Sequence, residues 1–402
     1  MTKDEKWFNK KMDRREFLKK AGIGGAGLVL GVSSASAFFA NQTKEDKKFA
    51  DGEEEISFYG EHQAGITTPM QKNIYFVILD LHTTDRETIM QMFKDWTVYS
   101  EKLVNGELVK KNGVNALLPP TDTGETVGLN PYRLTLTFGV SASFLKKMGL
   151  EDKKPKEFRD MPPFPKEQLK EKYTGGDIVI QACADDEQVA FHAVRNLVRK
   201  ARNAVTMKWS QAGFAAIGDR MSTPRNLFGF KDGTANVTKE KDFDKVVWCD
   251  SKDWMKGGSY MAVRRIQMFL ETWDRTNLQE QENTFGRYKE SGAPFGKKNE
   301  FDEVDLDLLP VDAHVRLAKE VDKPLYRRSY SYSDGIDETT GQFDTGLLFI
   351  SFQKDPDSFI KVQTNLGAQD KMNEYVTHVG SGLFACFGGV KKGEYLGQKL
   401  FE

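Results

Sequence analysis

The stretch Asn73-Ile-Tyr-Phe-Val-Ile-Leu-Asp-Leu81 is an almost continuous apolar run with the length and composition of a buried strand. Residues 85–103 follow it with the apolar spacing of a helix. Two further strands are predicted at 132–139 and 177–183, and a strongly periodic helix at 187–205. The first half of the chain therefore predicts a β-α-β-β-α-β order, whose last strand the sequence does not place.

A similar succession recurs in the second half of the chain. It predicts strands and helices in alternation at 260–270, 271–285, 346–352, 358–366 and 382–387. Two ferredoxin-like domains, with antiparallel sheets and peripheral helices, account for both successions and predict an α+β fold of the dimeric α+β barrel kind. We expect these domains at residues 56–215 and 216–402.

One segment of the second half does not fit the strand and helix pattern. Residues 287–309 are rich in glycine, proline and charge, which predicts a long excursion over the surface. Long structured insertions often border a functional cleft.

The amino terminus is arranged like an export signal. Arg14 and Arg15 are followed by Glu-Phe-Leu-Lys, then by an apolar run at residues 21–32 and by small residues ending at Ala37. The paired arginines resemble the twin-arginine signal, although Asp13 stands where that signal usually has Ser or Thr. We expect a signal peptide at 1–37, cleavage after Ala37 and a polar linker at 38–55. The alternative is a basic amphipathic helix lying on a membrane surface.

Composition excludes several classes of function. The chain has 402 residues, with 58 Lys and Arg against 59 Asp and Glu, so no bulk positive charge attracts a nucleic acid. Its three cysteines, Cys183, Cys249 and Cys386, form no Cys-x-x-Cys pair that would hold zinc or an iron–sulfur centre. We expect them to be buried small residues, since an odd number is a poor disulfide framework.

The most informative segment is Asn226-Leu-Phe-Gly-Phe-Lys-Asp-Gly-Thr-Ala-Asn236. Gly229 and Gly233 allow a tight turn that presents Asp232 between aromatic residues, where a carboxylate could move protons. The alternative is a solvent-facing turn.

Two further segments carry candidate side chains. His314 lies in Asp312-Ala-His-Val-Arg-Leu-Ala318, where it is either a ligand or an ordinary surface or core histidine. The stretch 325–333 alternates like a strand and carries Arg327 and Arg328. Because adjacent strand residues face opposite sides, at most one of these arginines can enter a given cavity, and the other is expected in a surface ion pair.

Together these segments resemble the dye-decolorizing peroxidase family, in particular its exported members associated with bacterial iron uptake. The resemblance spans nearly the whole mature chain. It rests on the order of Gly60-Glu-His-Gln-Ala-Gly65, Gly229-x-x-Asp232-Gly233, Gly257-Gly-Ser-Tyr-Met-Ala-Val-Arg-Arg265, Thr284-Phe-Gly-Arg287, Ser291-Gly-Ala-Pro294, the His314 segment and Arg327-Arg328-x-Tyr330. It implies paired ferredoxin-like domains with one haem b in the carboxy-terminal domain.

The resemblance also implies residue roles. His314 would be the proximal iron ligand, Asp232 the distal acid and base, and Arg327 the distal cation, with a further acid, which the sequence does not identify, orienting the histidine. Gly233, Thr234, Ala235 and Arg316 would contact the haem. The chain departs from the family after the histidine segment, where Lys319-Glu320-Val321 replaces Asn-Pro-Arg. Haem contacts from that loop are therefore not implied.

The function implied is an exported haem peroxidase that uses hydrogen peroxide to oxidise dyes, phenols or iron(II), in a periplasm or outside a single membrane. Release of iron from haem, with the porphyrin left intact, is an alternative outcome at the same site, and a non-catalytic haem carrier is an alternative of another class. The iron-uptake members imply a permease and an exported iron-binding protein as partners, and a homo-oligomer remains open. An ionised Asp232 predicts an acidic activity optimum.

Overall fold

The structure is a computed structural model that describes residues 54–110, 116–217 and 223–402. The predicted signal peptide at 1–37 and all but the end of the predicted linker at 38–55 lie outside the described residues. None of the helices in the described ranges has both the length and the apolar character that crossing a bilayer requires.

The first half has the predicted β-α-β-β-α-β plan. Its strands are β1 (Asn73–Leu81), β2 (Thr135–Val140), β3 (Ile178–Ala184) and β4 (Val205–Phe214), and its helices are α1 (Arg86–Val104), α2 (Ala142–Lys147) and α3 (Glu187–Lys200). The strands lie antiparallel in the order β2-β3-β1-β4, which is ferredoxin-like. The strand that the sequence did not place is β4. The predicted helix 187–205 was too long, because α3 ends at Lys200 and Val205 already belongs to β4.

The second half repeats this plan. Its strands are β5 (Ser259–Met268), β6 (Tyr326–Arg327), β7 (Tyr330–Ile336), β8 (Phe343–Gln353) and β9 (Val376–Cys386). Its helices are α4 (Glu240–Val246), α5 (Leu270–Asp274), α6 (Leu278–Phe285), α7 (His314–Glu320), α8 (Pro356–Gln369) and α9 (Gln398–Phe401). The strand order β9-β5-β8-β7 is the same as in the first half.

One predicted helix of this half is wrong as a single element. The stretch 271–285 forms two helices, α5 and α6, because the side chain of Asn277 accepts a hydrogen bond from the backbone of Glu280 at 3.0 Å and starts a new helix there. Short 3-10 turns complete the structure at Glu151–Lys153, Glu171–Tyr173, Leu306–Leu308 and Lys371–Glu374.

The two half-sheets join at both edges and close into an eight-stranded barrel. At one seam β2 pairs with β9, and at the other β4 pairs with β7. At the first seam Gly139 lies opposite Cys386, and a Cβ on Gly139 would lie only 3.0 Å from the Cys386 sulfur. A glycine is therefore needed for the two halves to approach this closely.

Alternate residues of the strands face two separate apolar layers. Along β1, Ile74, Phe76 and Ile78 belong to the cluster that fills the barrel, whereas Val77 and Leu79 pack with the outer helices. This two-sided burial explains why β1 is almost continuously apolar. All three cysteines are buried as predicted, Cys183 and Cys386 in the barrel and Cys249 in the outer layer.

Candidate active site

His314 is the first residue of α7 and is fixed by a buried carboxylate. Its Nδ1 lies 2.6 Å from Oδ2 of Asp370, whose side chain is only 3 % exposed. Asp370 itself is held at the end of α8, because its other oxygen accepts a hydrogen bond from the backbone of Met372 at 2.8 Å. With Nδ1 donating to Asp370, the lone pair of His314 resides on Nε2, the atom that can bind a metal.

The electrostatics of His314 connect it to the other candidate residues. Burial opposes protonation, but the charge and hydrogen bond of Asp370 outweigh it and raise the pKa of His314. The charge of Arg327 also acts on this pKa, lowering it, and the charge of Asp232 raises it. Arg327 and Asp232 therefore lie within electrostatic range of His314.

Asp232 and Arg327 form an ion pair within this site. Nη1 of Arg327 lies 2.9 Å from Oδ1 of Asp232, and the two side chains are 27 % and 24 % exposed. A third of the His314 side chain is likewise exposed. All three groups thus keep accessible surface, whereas Asp370 behind the histidine is buried.

The turn that carries Asp232 is shaped by its glycines and by a backbone contact. Gly229 and Gly233 adopt φ values of +81° and +126°, which other residues rarely adopt. The backbone N–H of Asp232 donates to the carbonyl of Pro224 at 2.8 Å, which ties the turn to the start of its own loop. The predicted tight turn is present, and the Asp232 side chain that it carries is 24 % exposed.

An aromatic cluster connects this turn to the histidine. Phe230 stacks on Phe285 with ring centroids 4.0 Å apart, and Phe285 in turn meets the imidazole of His314 edge-on at 6.4 Å. Trp273 packs against both phenylalanines and donates from its indole to the carbonyl of Phe228 at 3.1 Å. The aromatic residues beside Asp232 therefore fix its turn relative to α7.

Asn236 holds Arg327 in place, a role that the sequence did not predict. Its side-chain amide donates to the carbonyl of Arg327 and accepts from the N–H of Arg327, both at 2.8 Å. The side-chain amide thereby pairs with the backbone of Arg327 as a neighbouring strand would. This attaches the loop that carries Asp232 to β6. This pair of bonds sets the separation of the two charged groups.

Arg328 faces the other side of its strand, as adjacent strand residues must. The prediction of a surface ion pair for it is wrong, because Arg328 is only 1 % exposed. Its guanidinium donates to the carbonyl of Thr68 and to the side chain of Gln71. An internal amide and a carbonyl replace the surface partner, because β6 and β7 are part of a closed barrel and not of an open sheet.

The remaining predicted contacts are distributed around the site. Gly233 and Ala235 flank Thr234, whose hydroxyl donates to Glu300 at 2.8 Å. Arg316 is turned away toward the 3-10 turn Leu306–Leu308, donating to the carbonyls of Leu306 and Leu309 at 2.9 and 3.0 Å. Haem contacts by these four residues stay predictions, and the donors of Arg316 are used within the protein.

His62, which lies in the predicted Gly60–Gly65 motif, has a packing role. Its ring stacks on Trp248 at 3.7 Å, and its Nδ1 lies 2.7 Å from the carbonyl of Gly257. A Cβ on Gly389 would lie 2.3 Å from the carbonyl of Gly60, so the motif is pressed closely against the carboxy-terminal segment. The ring and Nδ1 of His62 are therefore both used in contacts within the protein.

The donor set fits a haem. One imidazole, oriented by a buried carboxylate, provides the single protein ligand that haem iron takes in many peroxidases. A carboxylate and a guanidinium at the same site provide a proton acceptor and a fixed positive charge. Together with the barrel of two ferredoxin-like halves, these groups define the class of the protein, a haem-dependent peroxidase.

The chain belongs to the Dyp-type peroxidase family. The amino-terminal family profile matches residues 63–215 and the carboxy-terminal profile matches residues 223–391. The deferrochelatases of Yersinia pestis and Escherichia coli O157:H7 are each 37 % identical to it, over 97 % of this chain and 95 % and 97 % of their own lengths.

Solved structures agree with this assignment. A DyP-type peroxidase from Streptomyces coelicolor superposes with a TM-score of 0.82 at 36 % identity, covering 88 % of this chain and 99 % of that one. Ferric DtpA from Streptomyces lividans gives a TM-score of 0.81 at 36 % identity, covering 88 % and 98 %. The resemblance inferred from the sequence motifs is confirmed.

Replacement of Asp370 by asparagine is expected to weaken haem binding by about 10- to 100-fold, the usual effect of losing the hydrogen-bond partner of a metal-ligating histidine. Asparagine can still accept the hydrogen bond from Met372, so α8 should end as before. Haem affinity is measured by absorption titration of the apoprotein. Asp357→Asn, at the other end of α8, is the control, and equal affinities for both variants would contradict the role of Asp370.

Proposed function

We propose that this chain is an exported haem b peroxidase that uses hydrogen peroxide to oxidise dyes, phenols or iron(II). The observation that supports this is the ion pair of Asp232 and Arg327 at 2.9 Å, at the same site as a histidine whose Nδ1 is fixed by Asp370. Haem, when bound, supplies the iron that takes up peroxide and accepts its oxidising equivalents.

The protein's own side chains provide proton transfer, charge stabilisation and binding of the iron. Asp232 accepts the proton that peroxide loses as it binds and returns a proton to the outer oxygen, which leaves as water. Arg327 stabilises the negative charge that develops while the oxygen–oxygen bond breaks. His314 would be the ligand of the haem iron, and Asp370 keeps its imidazole in the required tautomer.

A non-catalytic haem carrier fits these side chains less well. A storage pocket needs neither a proton acceptor nor a fixed cation beside it, and a carboxylate and a guanidinium held together without a reaction only add desolvation cost. A peroxide reaction that is no faster than that of free haem would favour the carrier.

A second outcome at the same site is the release of iron from haem with the porphyrin left intact. The relatives named deferrochelatase, at 36–37 % identity over nearly the whole chain, favour it. Product analysis separates the two outcomes. Incubation of the haem-loaded protein with peroxide and a phenol gives oxidised phenol and retained haem if it is a peroxidase, whereas incubation with excess haem and a reductant gives metal-free porphyrin and iron if it is a deferrochelatase.

Export by the twin-arginine route is also proposed, and it rests on residues 1–37. Replacing both Arg14 and Arg15 by lysine is expected to leave the protein in the cytoplasm, which fractionation and immunoblotting detect. Undiminished export of that variant would exclude the route. A permease and an exported iron-binding protein remain the proposed partners, and co-purification from an iron-starved native host would test them.

A further inference from the structure

We propose that Glu300, in the long excursion 287–309, is a positioning residue that holds Asp232 in its reactive place by binding the residues on both sides of it. This inference rests on the proposed peroxidase function. It gives the excursion a part in the reaction, although none of its residues belongs to the Asp232, Arg327 and His314 set.

The contacts of Glu300 bracket Asp232. One carboxylate oxygen accepts a hydrogen bond from the hydroxyl of Thr234 at 2.8 Å, and the other forms an ion pair with Nζ of Lys231. Asp232 lies between these two partners in the chain. A single side chain therefore holds the turn on both sides of Asp232, the distal carboxylate.

Glu300 is poised for this role by its burial and charge. Its side chain is only 7 % exposed. Burial would raise the pKa of the Glu300 carboxyl, but hydrogen bonds from Lys231, Thr223 and Thr234 outweigh it and keep the pKa below its usual value. The group is therefore a buried carboxylate whose partners all lie on the loop that carries Asp232.

The excursion is itself held by hydrogen bonds, and these fix the position of Glu300. Arg287 is buried and donates to the carbonyls of Gly292 and Glu300 at 2.7 and 2.9 Å. Gly292 packs closely on Lys231, since a Cβ there would lie 2.7 Å from Cδ of the lysine. Arg225 adds a second link, from the loop to the carbonyls of Lys289 and Glu290.

The contacts of Glu300 affect the ion pair of Asp232 with Arg327. Asn236 fixes the Arg327 side of that pair, and Glu300 contacts the residues next to Asp232. Displacement of a reactive group by about 1 Å can lower the reaction rate by about 100-fold. Loss of the contacts beside Asp232 should therefore slow the reaction with peroxide.

The test compares Glu300→Gln with Glu303→Gln, an exposed glutamate of the same excursion. Both are prepared as full-length exported protein loaded with haem. For Glu300→Gln we expect the second-order rate with hydrogen peroxide to fall by about 10-fold, part of the range for a misplaced catalytic group. Haem occupancy and KM for the reducing substrate should not change, the melting temperature should fall because a buried ion pair with Lys231 is lost, and Glu303→Gln should match the wild type.

A double-variant measurement separates positioning from a general structural effect. If Glu300 acts through Asp232, Glu300→Gln should cause no further loss of rate in an Asp232→Asn background. An equal 10-fold loss in both backgrounds would overturn the inference. If Glu300→Gln loses its haem, Lys231→Met and Thr234→Val remove the same contacts from the other side, and an unchanged peroxide rate in both would overturn it as well.

Failure of this inference is distinguishable from failure of the proposed function. A wild type that reacts with peroxide and is slowed by Asp232→Asn, but not by Glu300→Gln, leaves the peroxidase in place and excludes the positioning role. A wild type that is no faster than free haem excludes both.

Discussion

Replacement of His314 by alanine is expected to abolish stable haem binding, with the affinity falling by at least about 100-fold. Loss of a hydrogen-bond partner behind a ligating histidine already costs up to about 100-fold, and loss of the ligand should cost no less. Within the described residues, His314 is the histidine whose pKa the charges of both Asp232 and Arg327 affect and whose Nδ1 lies 2.6 Å from a buried carboxylate. Absorption titration of the apoprotein with haem measures the effect.

External imidazole provides a sharp test of this assignment. If His314→Ala leaves a space beside the iron, added imidazole should enter it and restore the ferric haem absorption band. His82→Ala is the control, since His82 lies at the surface directly after β1 and should bind haem like the wild type. Haem binding with an unchanged spectrum in His314→Ala would show that another residue is the ligand.

Two of the three candidate site residues lie in segments with a local sequence pattern. Asp232 sits between glycines whose positive φ values the turn requires, and the strand-like alternation of 325–333 allowed only one of Arg327 and Arg328 to join it, although β6 itself ends at Arg327. His314 follows an acidic segment with no other motif support, and its assignment depended on family resemblance. The structure brings all three together.

The supporting residues were not predictable from local pattern. Asp370 is 56 residues from His314 in the sequence and stands between ordinary helix residues. Asn236 was visible in the Asp232 segment, but its bonds to Arg327 span 91 residues. Contacts of this range depend on how the elements of the second half pack together, which no single stretch of sequence reveals.

The errors in secondary structure have the same origin. In β4 Thr206 and Met207 are exposed and Lys208 is half-buried, while Val205 and Trp209 are buried, so the strand lacks the continuous apolar run that identified β1. The alternation indicates a strand only once its neighbours β1 and β7 are known. Pairing partners, rather than propensity, therefore decide where the preceding helix ends.

Asp232→Asn is expected to lower the second-order rate with hydrogen peroxide by about 100- to 10,000-fold, the range for loss of a general acid or base. Asparagine has nearly the same shape and can still accept a hydrogen bond from Arg327, but it does not take up a proton. Haem occupancy should stay at the wild-type level, because the haem ligand His314 is unchanged. Stopped-flow absorption at increasing peroxide concentrations gives the rate.

Arg327→Leu should slow the same step by about 100- to 1,000-fold, as expected for loss of one group that stabilises developing charge. Because Arg327 and Asp232 form one ion pair at 2.9 Å, their effects should not add, and the double variant should be much faster than the product of the two losses predicts. Asp242→Asn, on the surface of α4, is the matched control. If both single variants react like this control, the pair is structural, and another group moves the proton and stabilises the developing charge.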